Sequence, residues 1–407
     1  MAEVVVKFVF PFVFFMAFLV FCIEHKNNKL RLVALFFTSI VAFSQNFAFV
    51  FREIHQAVQL LLVFFLFVMI LKTGRVSKLI CFMLFFLGFI IVSLLNAPID
   101  SDAVAQSVNF IIVFLVLVFL YTAIHSLEGL HIILKYFGLL GLLLAVSGVV
   151  EFAFSGGGRI EGTFANPNYF ALFVSLAWVP VYTYFGAYKK CASLAIMTIV
   201  IILSGSRAAL IIPFIHFVWT LYKTASLSRI FIYGTILFVF VSILLVSGLT
   251  RFSSSESSAS DAERIIFAKM AINMAVDNPV TGVGWGRFIS EFSNYSTTVD
   301  KVVLSAGTID ASKQDRRVTH NDFLRILSEL GFIAFFASIF YVFKTYFLIS
   351  KNNSFGVEPL FACWFGVVFF SLTHNNLNTA MTWFFLLLPW FVFYKSRILE
   401  RCVLLND

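Results

Sequence analysis

The chain has 407 residues, of which 60% are hydrophobic and 12% are charged, with a formal net charge of +8. Soluble domains carry about 25% charged residues, so this composition excludes an ordinary soluble protein. The apolar stretches are continuous runs rather than alternating segments of about ten residues, which excludes a membrane β-barrel. The basic residues lie between the apolar runs and form no single patch, so the charge does not indicate nucleic-acid binding. The sequence predicts an all-α polytopic membrane protein.

About 12 to 13 transmembrane helices are predicted, since one span needs roughly 20 apolar residues. The first run shows no convincing cleavage site and is expected to be retained as a span. One span fewer is an alternative for the region before residue 80. The predicted spans lie near 8–23, 30–50, 57–71, 79–95, 108–124, 132–154, 169–187, 191–204, 208–222, 230–249, 322–349, 359–373 and 380–394.

Orientation follows from the distribution of Lys and Arg, which favour cytoplasmic loops. One alternating set of loops is rich in basic residues, whereas the opposite short segments hold Lys7, Arg52, Arg159 and Arg207. The C-terminus is therefore predicted to be cytoplasmic. Four regions result: N-terminal membrane helices (1–150), further membrane helices with the first motifs (151–249), one large external loop (250–320), and C-terminal membrane helices with a short cytoplasmic tail (321–407).

The external loop begins with a Ser-rich tether at 253–260. Ser260 and Glu263 have the spacing of a capping box, which predicts a helix from Ser260 to about Val276. The helix is apolar enough to lie in the membrane interface. The glycines between Gly282 and Gly286 predict a tight turn.

Two arginines at the outer rim are candidate anion ligands. Arg207 lies between two apolar runs, where a charge is costly; it either binds a phosphate through its planar guanidinium or snorkels to lipid headgroups. Arg264 lies at the predicted start of the external helix, where the helix dipole disfavours a cation. A bound anion would relieve that conflict, and a solvated helix face is the alternative.

His320 closes the external loop and is a candidate general base, because imidazole can accept a proton from a sugar hydroxyl near neutral pH. An exposed loop histidine is the alternative. Arg325 and Glu329 follow at i, i+4 spacing, which predicts a salt bridge that shapes the site. Candidate supporting residues at the same rim are Arg159, Asn166, Asn168, Asn321 and His374.

No metal or other cofactor is predicted. Asp100 and Asp102 form the D-x-D pattern with which metal-dependent glycosyltransferases hold a cation, but two acids in a short polar loop are more often solvated. The five cysteines contain no C-x-x-C pair. Four other histidines are dispersed: His25, His125, His131 and His216.

Several short motifs together resemble the O-antigen ligase and O-antigen polymerase superfamily of bacterial envelopes, over about residues 150–390. They are GTFANPNY (162–169), SGSRA (204–208), the helix opened by Glu263-Arg264, GVGWGRF (282–288) and THNDFLRILSELG (319–331). The resemblance implies a GT-C-like glycosyltransferase in the inner membrane, usually with twelve spans, whose active site faces the periplasm.

The resemblance also implies the reaction. The donor is a glycan on undecaprenyl diphosphate, and transfer is inverting and metal-independent. Arg207 and Arg264 take the diphosphate-binding roles, and His320 takes the role of the base. The acceptor is a sugar hydroxyl of lipid A-core in a ligase, or a second undecaprenyl-diphosphate-linked repeat in a polymerase; a chain-length regulator is a further partner.

Ligase is favoured because one substantial external loop is evident, whereas a polymerase must seat two lipid diphosphates. Arg316 and Arg317 could supply part of a second basic cluster. A polysaccharide flippase or transporter is the alternative from another class. It would show repeated halves and charges near the bilayer midplane, whereas here the charges gather at one rim.

Overall fold

All regular structure is α-helical in the part of the chain that the computed structural model describes: residues 80–124, 127–155, 159–162, 164, 166–224, 255–298, 300, 319–351 and 361–404. This confirms the all-α prediction for those residues. The helices are α1 (Ile80–Leu95), α2 (Ser101–Ala123), α3 (Leu127–Ser155), α4 (Pro167–Tyr184), α5 (Ala187–Leu203), α6 (Ile211–Thr224), α7 (Ser255–Asp277), α8 (Phe288–Tyr295), α9 (Asp322–Lys351), α10 (Phe361–Ser371) and α11 (Ala380–Leu404).

Each predicted span inside the described residues coincides with a helix. The predicted spans 8–23, 30–50, 57–71 and 230–249 lie outside them. Helix α2 begins seven residues before the predicted 108, because the carboxylate of Asp100 accepts the Ala103 N–H at 2.7 Å and caps the helix. Helix α4 begins at Pro167 and is capped by Asn166, whose side chain accepts the Asn168 N–H.

The core is a helical bundle in which α3 packs on α4 and α5, and α10 packs on α6 and α11. Its largest enclosed side chains are aromatic and include Trp364, Trp383 and Phe385. Gly141 of α3 faces Ala177 of α4 so closely that a Cβ atom at Gly141 would clash. Small residues of this kind let two helix backbones approach. Connections at one end of this bundle carry the motifs.

Helix α9 is broken at Gly331, where φ is 81° and ψ is −179°. The loop that follows α7 fills the break: Val283 donates its N–H to the Ser328 carbonyl at 2.9 Å, and Phe332 donates to the Pro279 carbonyl at 2.8 Å. Gly282, Gly284 and Gly286 all have positive φ, so the predicted tight turn is confirmed. The first turns of α9 are thereby locked to the glycine loop.

The predicted start of α7 at Ser260 is wrong. The helix begins at Ser255, so Ser260 lies inside it and cannot be the cap. The predicted end near Val276 is confirmed within one residue, since α7 ends at Asp277. One face of α7 is buried with α8 through Phe267 and Met270, while another face stays exposed at Ile265, Ile272 and Val276.

Among the described helices, two are long and apolar enough to cross a membrane, Gly129–Phe154 and Asp322–Lys351. Shorter apolar stretches occur in α1, α2, α6, α10 and α11. The outer face of α9 exposes a row of phenylalanines, with Phe336 and Phe340 each 61% exposed and Phe343 59% exposed. Exposed apolar surface of this extent is unusual in a soluble monomer.

Candidate functional site

His320 is held in an unusual backbone conformation. Its φ of 51° is the one positive φ at a non-glycine position among the described residues, and such conformations persist only where neighbouring contacts enforce them. Asn375 provides those contacts, because its Oδ1 accepts the Thr319 hydroxyl at 2.9 Å and the Asn321 N–H at 3.0 Å. The imidazole stacks on Phe267 of α7 with ring centroids 6.1 Å apart.

Arg264 lies in the third turn of α7, so the prediction that it begins a helix is wrong, and the argument from the helix dipole does not hold. The structure gives a different reason to expect an anion. The Arg264 Nε is buried and has no hydrogen-bond partner, which is costly for a charged group. Burial and the nearby Arg264 charge lower the pKa of His320 to about 4, so the imidazole is neutral at pH 7.

Arg207 is exposed at the start of the turn 207–210, between α5 and α6. Arg159 lies against the same connection. Its Nε donates to the Ser204 carbonyl at 2.8 Å, and its Nη2 donates to Asn168 Oδ1 at 3.0 Å. Arg159 therefore ties the SGSRA motif to the start of α4, and Gly205, with φ of 69°, allows the tight turn that follows α5.

His374 lies in the connection between α10 and α11 and is 8% exposed. Burial, Arg264, His320 and Arg159 together lower its pKa to about 3. Hydrogen bonds bring the same segments together, because Asn375, next to His374, accepts from Thr319 and Asn321, and its carbonyl accepts from Tyr169 at the start of α4. The structure thus gathers Arg159, Arg264, His320 and His374 at one end of the bundle, and the turn bearing Arg207 is attached to Arg159.

The remaining predicted asparagines serve the backbone of this site. Asn166 caps α4. Asn321 caps α9, because its Oδ1 accepts the N–H groups of Phe323 and Leu324 at 2.9 and 3.0 Å. Both helices therefore point their N-termini, and the positive ends of their dipoles, toward this end of the bundle.

Arg325 and Glu329 form the predicted i, i+4 salt bridge at 3.0 Å, and both side chains are buried. Glu329 also accepts the Gly286 N–H at 2.9 Å, and the Arg325 guanidinium lies 4.1 Å from the centre of the Trp285 ring. This pair fastens the glycine loop to α9. Both side chains bind other groups of the protein, and this fits the prediction that the pair shapes the site.

Asp100 is committed to structural partners. Besides capping α2, its Oδ2 pairs with Arg287 Nε at 3.2 Å. The pKa of Asp100 lies below its usual value, because hydrogen bonds from Ala103, Ser290 and Arg287 outweigh the opposing effect of burial. Asp102 is exposed. Within the described ranges no three His, Cys, Asp or Glu side chains are placed to share a metal ion.

Sequence reasoning missed residues that link the site to other helices. Gln106 accepts from Arg325 Nη2 at 3.2 Å and from Asn378, and Asp322 accepts the Asn376 N–H at 2.8 Å. The available signal for Gln106 was its polarity at the start of an apolar run. For Asp322 and Asn378 the partners are distant in sequence, so spacing gives no signal.

The described residues form an all-helical fold with long apolar helices and a polar site of arginines and histidines at one end of the bundle. Residues 192–339 match the family model described as O-antigen ligase. This match confirms the resemblance to the O-antigen ligase superfamily. The matched segment contains Arg207, Arg264 and His320, whereas Arg159 and His374 lie outside it. No curated protein matches the chain significantly.

Proposed function

We propose that the protein is an inverting, metal-independent membrane glycosyltransferase. It transfers a glycan from undecaprenyl diphosphate to a sugar hydroxyl of lipid A-core at the periplasmic face of the inner membrane. The observation that carries this proposal is the pairing of His320 with Arg264, whose buried Nε has no partner. His320 can accept the proton of an acceptor hydroxyl. Arg264, whose Nε lacks a partner, can bind the phosphate attached to the carbon that this hydroxyl attacks.

In the proposed reaction, Arg264 and Arg207 bind the donor diphosphate. Negative charge grows on the diphosphate as its bond to the sugar breaks, and fixed cations stabilise that charge most in the transition state. His320 takes the proton of the attacking hydroxyl as a neutral imidazole. Attack from the face opposite the diphosphate inverts the configuration at the anomeric carbon.

A membrane location for this reaction is supported by the exposed phenylalanines of α9 and by the two apolar helices of spanning length. The exposed apolar face of α7, with Ile265, Ile272 and Val276, fits the membrane interface, and Ile265 is adjacent to Arg264 in the chain. A lipid-linked donor would then reach the arginines with its isoprenoid chain still in the bilayer.

Alanine substitution tests the assignment. Arg207→Ala, Arg264→Ala and His320→Ala should each leave the protein in the membrane but abolish transfer, read as loss of long-chain lipopolysaccharide in a complemented deletion strain. Arg207→Lys should also impair transfer, because an ammonium lacks the planar guanidinium fork. Lys269→Ala is the matched control, since Lys269 lies on α7 with its side chain 58% exposed. Normal long-chain lipopolysaccharide in all three alanine strains would defeat the proposal.

The deletion strain itself separates the ligase from the polymerase alternative. Unmodified core together with polymerised lipid-linked glycan indicates a ligase, whereas core that bears a single repeat indicates a polymerase. Arg316 and Arg317, the residues that bear on a second diphosphate site, lie outside the described residues.

A further inference from the structure

The connection between α10 and α11, residues 372–379, forms a second wall of the site. It is clamped to the segment around His320 from two sides. Asn375 accepts from Thr319 and Asn321, while the Asn376 N–H donates to Asp322. This connection lies outside the segment that matches the family. It carries His374, which has no role in the reaction proposed above.

The ring of His374 is fixed in one orientation. It stacks on Phe370 with centroids 4.2 Å apart and an interplanar angle of 15°, and its Nδ1 lies 2.9 Å from the Thr373 hydroxyl oxygen. Among the described residues, none hydrogen bonds to the second ring nitrogen, Nε2, and the residue keeps 8% of its surface exposed. A small ligand in the site can therefore bind to Nε2.

Besides burial, Arg264 on α7, His320 before α9 and Arg159 before α4 lower the pKa of this imidazole, and the two arginines are the permanent cations among them. His320, by contrast, is affected by burial and by Arg264. A bound diphosphate would offset the arginine charges. Because His374 is affected by both arginines, its protonated form gains more from such an anion than the protonated form of His320 does.

Other polar groups next to the connection are already engaged. The Tyr169 hydroxyl of α4 donates to the Asn375 carbonyl at 2.5 Å. The Asp322 carboxylate of α9 accepts the backbone N–H groups of Asn376 and Leu377 at 2.8 to 3.3 Å. Among the described residues, neither group hydrogen bonds to the His374 ring. A bound anion would supply negative charge that favours the imidazolium.

Resting on the proposed function, we propose that His374 is a further ligand of the donor diphosphate and that its imidazole takes up a proton when the diphosphate binds. The imidazolium then donates a hydrogen bond from Nε2 to a phosphate oxygen, a charge-assisted contact. His320 stays neutral and keeps its capacity to act as the base. The two histidines would thus hold different protonation states in the same complex.

The transfer step balances with these roles. The acceptor oxygen bonds to the anomeric carbon, and the bond from that carbon to the diphosphate oxygen breaks, with its electron pair moving onto the diphosphate. The acceptor proton passes to His320. The departing diphosphate gains one negative charge, and His374 keeps its proton and stabilises that charge through the hydrogen bond.

Proton uptake on binding is the direct test. The probe is farnesyl diphosphate esterified at its second phosphate with N-acetylglucosamine, which has no group that titrates near neutral pH. Calorimetry at pH 6 in buffers of different ionisation enthalpy should show net proton uptake by the wild type. His374→Gln should lose this uptake, whereas His320→Gln should keep it. His131→Gln, near Tyr184 at the far end of α4, is the control and should also keep it.

A second measurement uses the wild type alone. Binding coupled to uptake of one proton should tighten by up to about tenfold for each unit of pH decrease between pH 7.5 and 5.5. Probe binding without uptake or pH dependence would overturn the role of His374 and leave the proposed transferase intact. Loss of proton uptake in His320→Gln together with its retention in His374→Gln would overturn the role of His374 as well. Failure of the wild type to bind the probe would count against the proposed donor site itself.

Discussion

At the scale of single residues, the two site histidines make stability depend on pH. Burial and neighbouring cations lower the pKa of His320 to about 4 and that of His374 to about 3, whereas an unfolded histidine titrates near 6.5. Below pH 6.5 the unfolded chain therefore binds more protons than the folded chain, and stability falls as pH falls. The melting temperature of the ligand-free protein in detergent should decrease between pH 6.5 and 4.

The double variant His320→Gln/His374→Gln isolates this effect, because neither glutamine titrates. Its melting temperature should vary less over the same range than that of the wild type. Each histidine accounts for at most about 1.4 kcal/mol of unfolding free energy per pH unit. Lowered carboxylate pKa values, as at Asp100 and Asp300, act below about pH 5, but both carboxylates are present in the two proteins, so their effect cancels in the comparison. Parallel curves for the two proteins would show that the histidines are not buried as neutral groups.

The Arg325–Glu329 pair yields a second prediction at this scale. Glu329→Gln leaves the buried Arg325 guanidinium without its carboxylate, and breaking a buried ion pair costs about 3–5 kcal/mol. Unfolding in denaturant should detect this loss. Lys269→Gln is the control: it removes an ion pair with Asp300 whose lysine is 58% exposed, and exposed pairs contribute about 0–1 kcal/mol. Equal effects of the two substitutions would contradict the structural role of the buried pair.

At the scale of elements, the break in α9 depends on Gly331. Any other residue at φ of 81° is strained by about 1–3 kcal/mol, and a Cβ atom there would lie 2.6 Å from the Val280 carbonyl oxygen. Gly331→Ala should therefore lower the melting temperature and reduce transfer, because His320 lies directly before the start of α9. Gly88→Ala in α1 is the matched control. No atom lies within 4 Å of its added Cβ, so it should be neutral or stabilise the helix by about 0.5–1 kcal/mol.

Helices α1 to α6 and α9 to α11 were predictable from the sequence because continuous apolar runs and their polar breaks depend on local residue order, whereas the short helix α8 was not predicted. The start of α7 was not predictable, since a Ser-rich segment can either continue a helix or cap one. Arg264, His320 and the i, i+4 pair were identifiable from local motifs. The hydrogen bonds of Asn375 with Thr319 and of Gln106 with Arg325 join segments far apart in sequence, and no periodic pattern encodes them.

At the scale of the whole molecule, charge is divided between the two ends of the bundle. Five lysines of the described helices lie away from the site: Lys135 is near the start of α3, Lys189 and Lys190 are in the first turn of α5, and Lys344 and Lys351 are in the last turns of α9. The site lies at the other ends of these helices. Since short cytoplasmic loops are rich in Lys and Arg, this division predicts that the site faces the periplasm.

Cysteine labelling tests this orientation. Asn294, exposed on α8 at the site end, and Lys189, exposed at the opposite end, are each replaced by cysteine in a chain whose five native cysteines are changed to serine. A membrane-impermeant maleimide should label Asn294→Cys in intact spheroplasts but Lys189→Cys only after permeabilisation. The reverse pattern would place the arginines and histidines on the cytoplasmic side. Transfer would then have to occur before the lipid A-core acceptor is exported. Labelling of both positions in intact spheroplasts would contradict a membrane-spanning bundle, because a bilayer must separate the two ends.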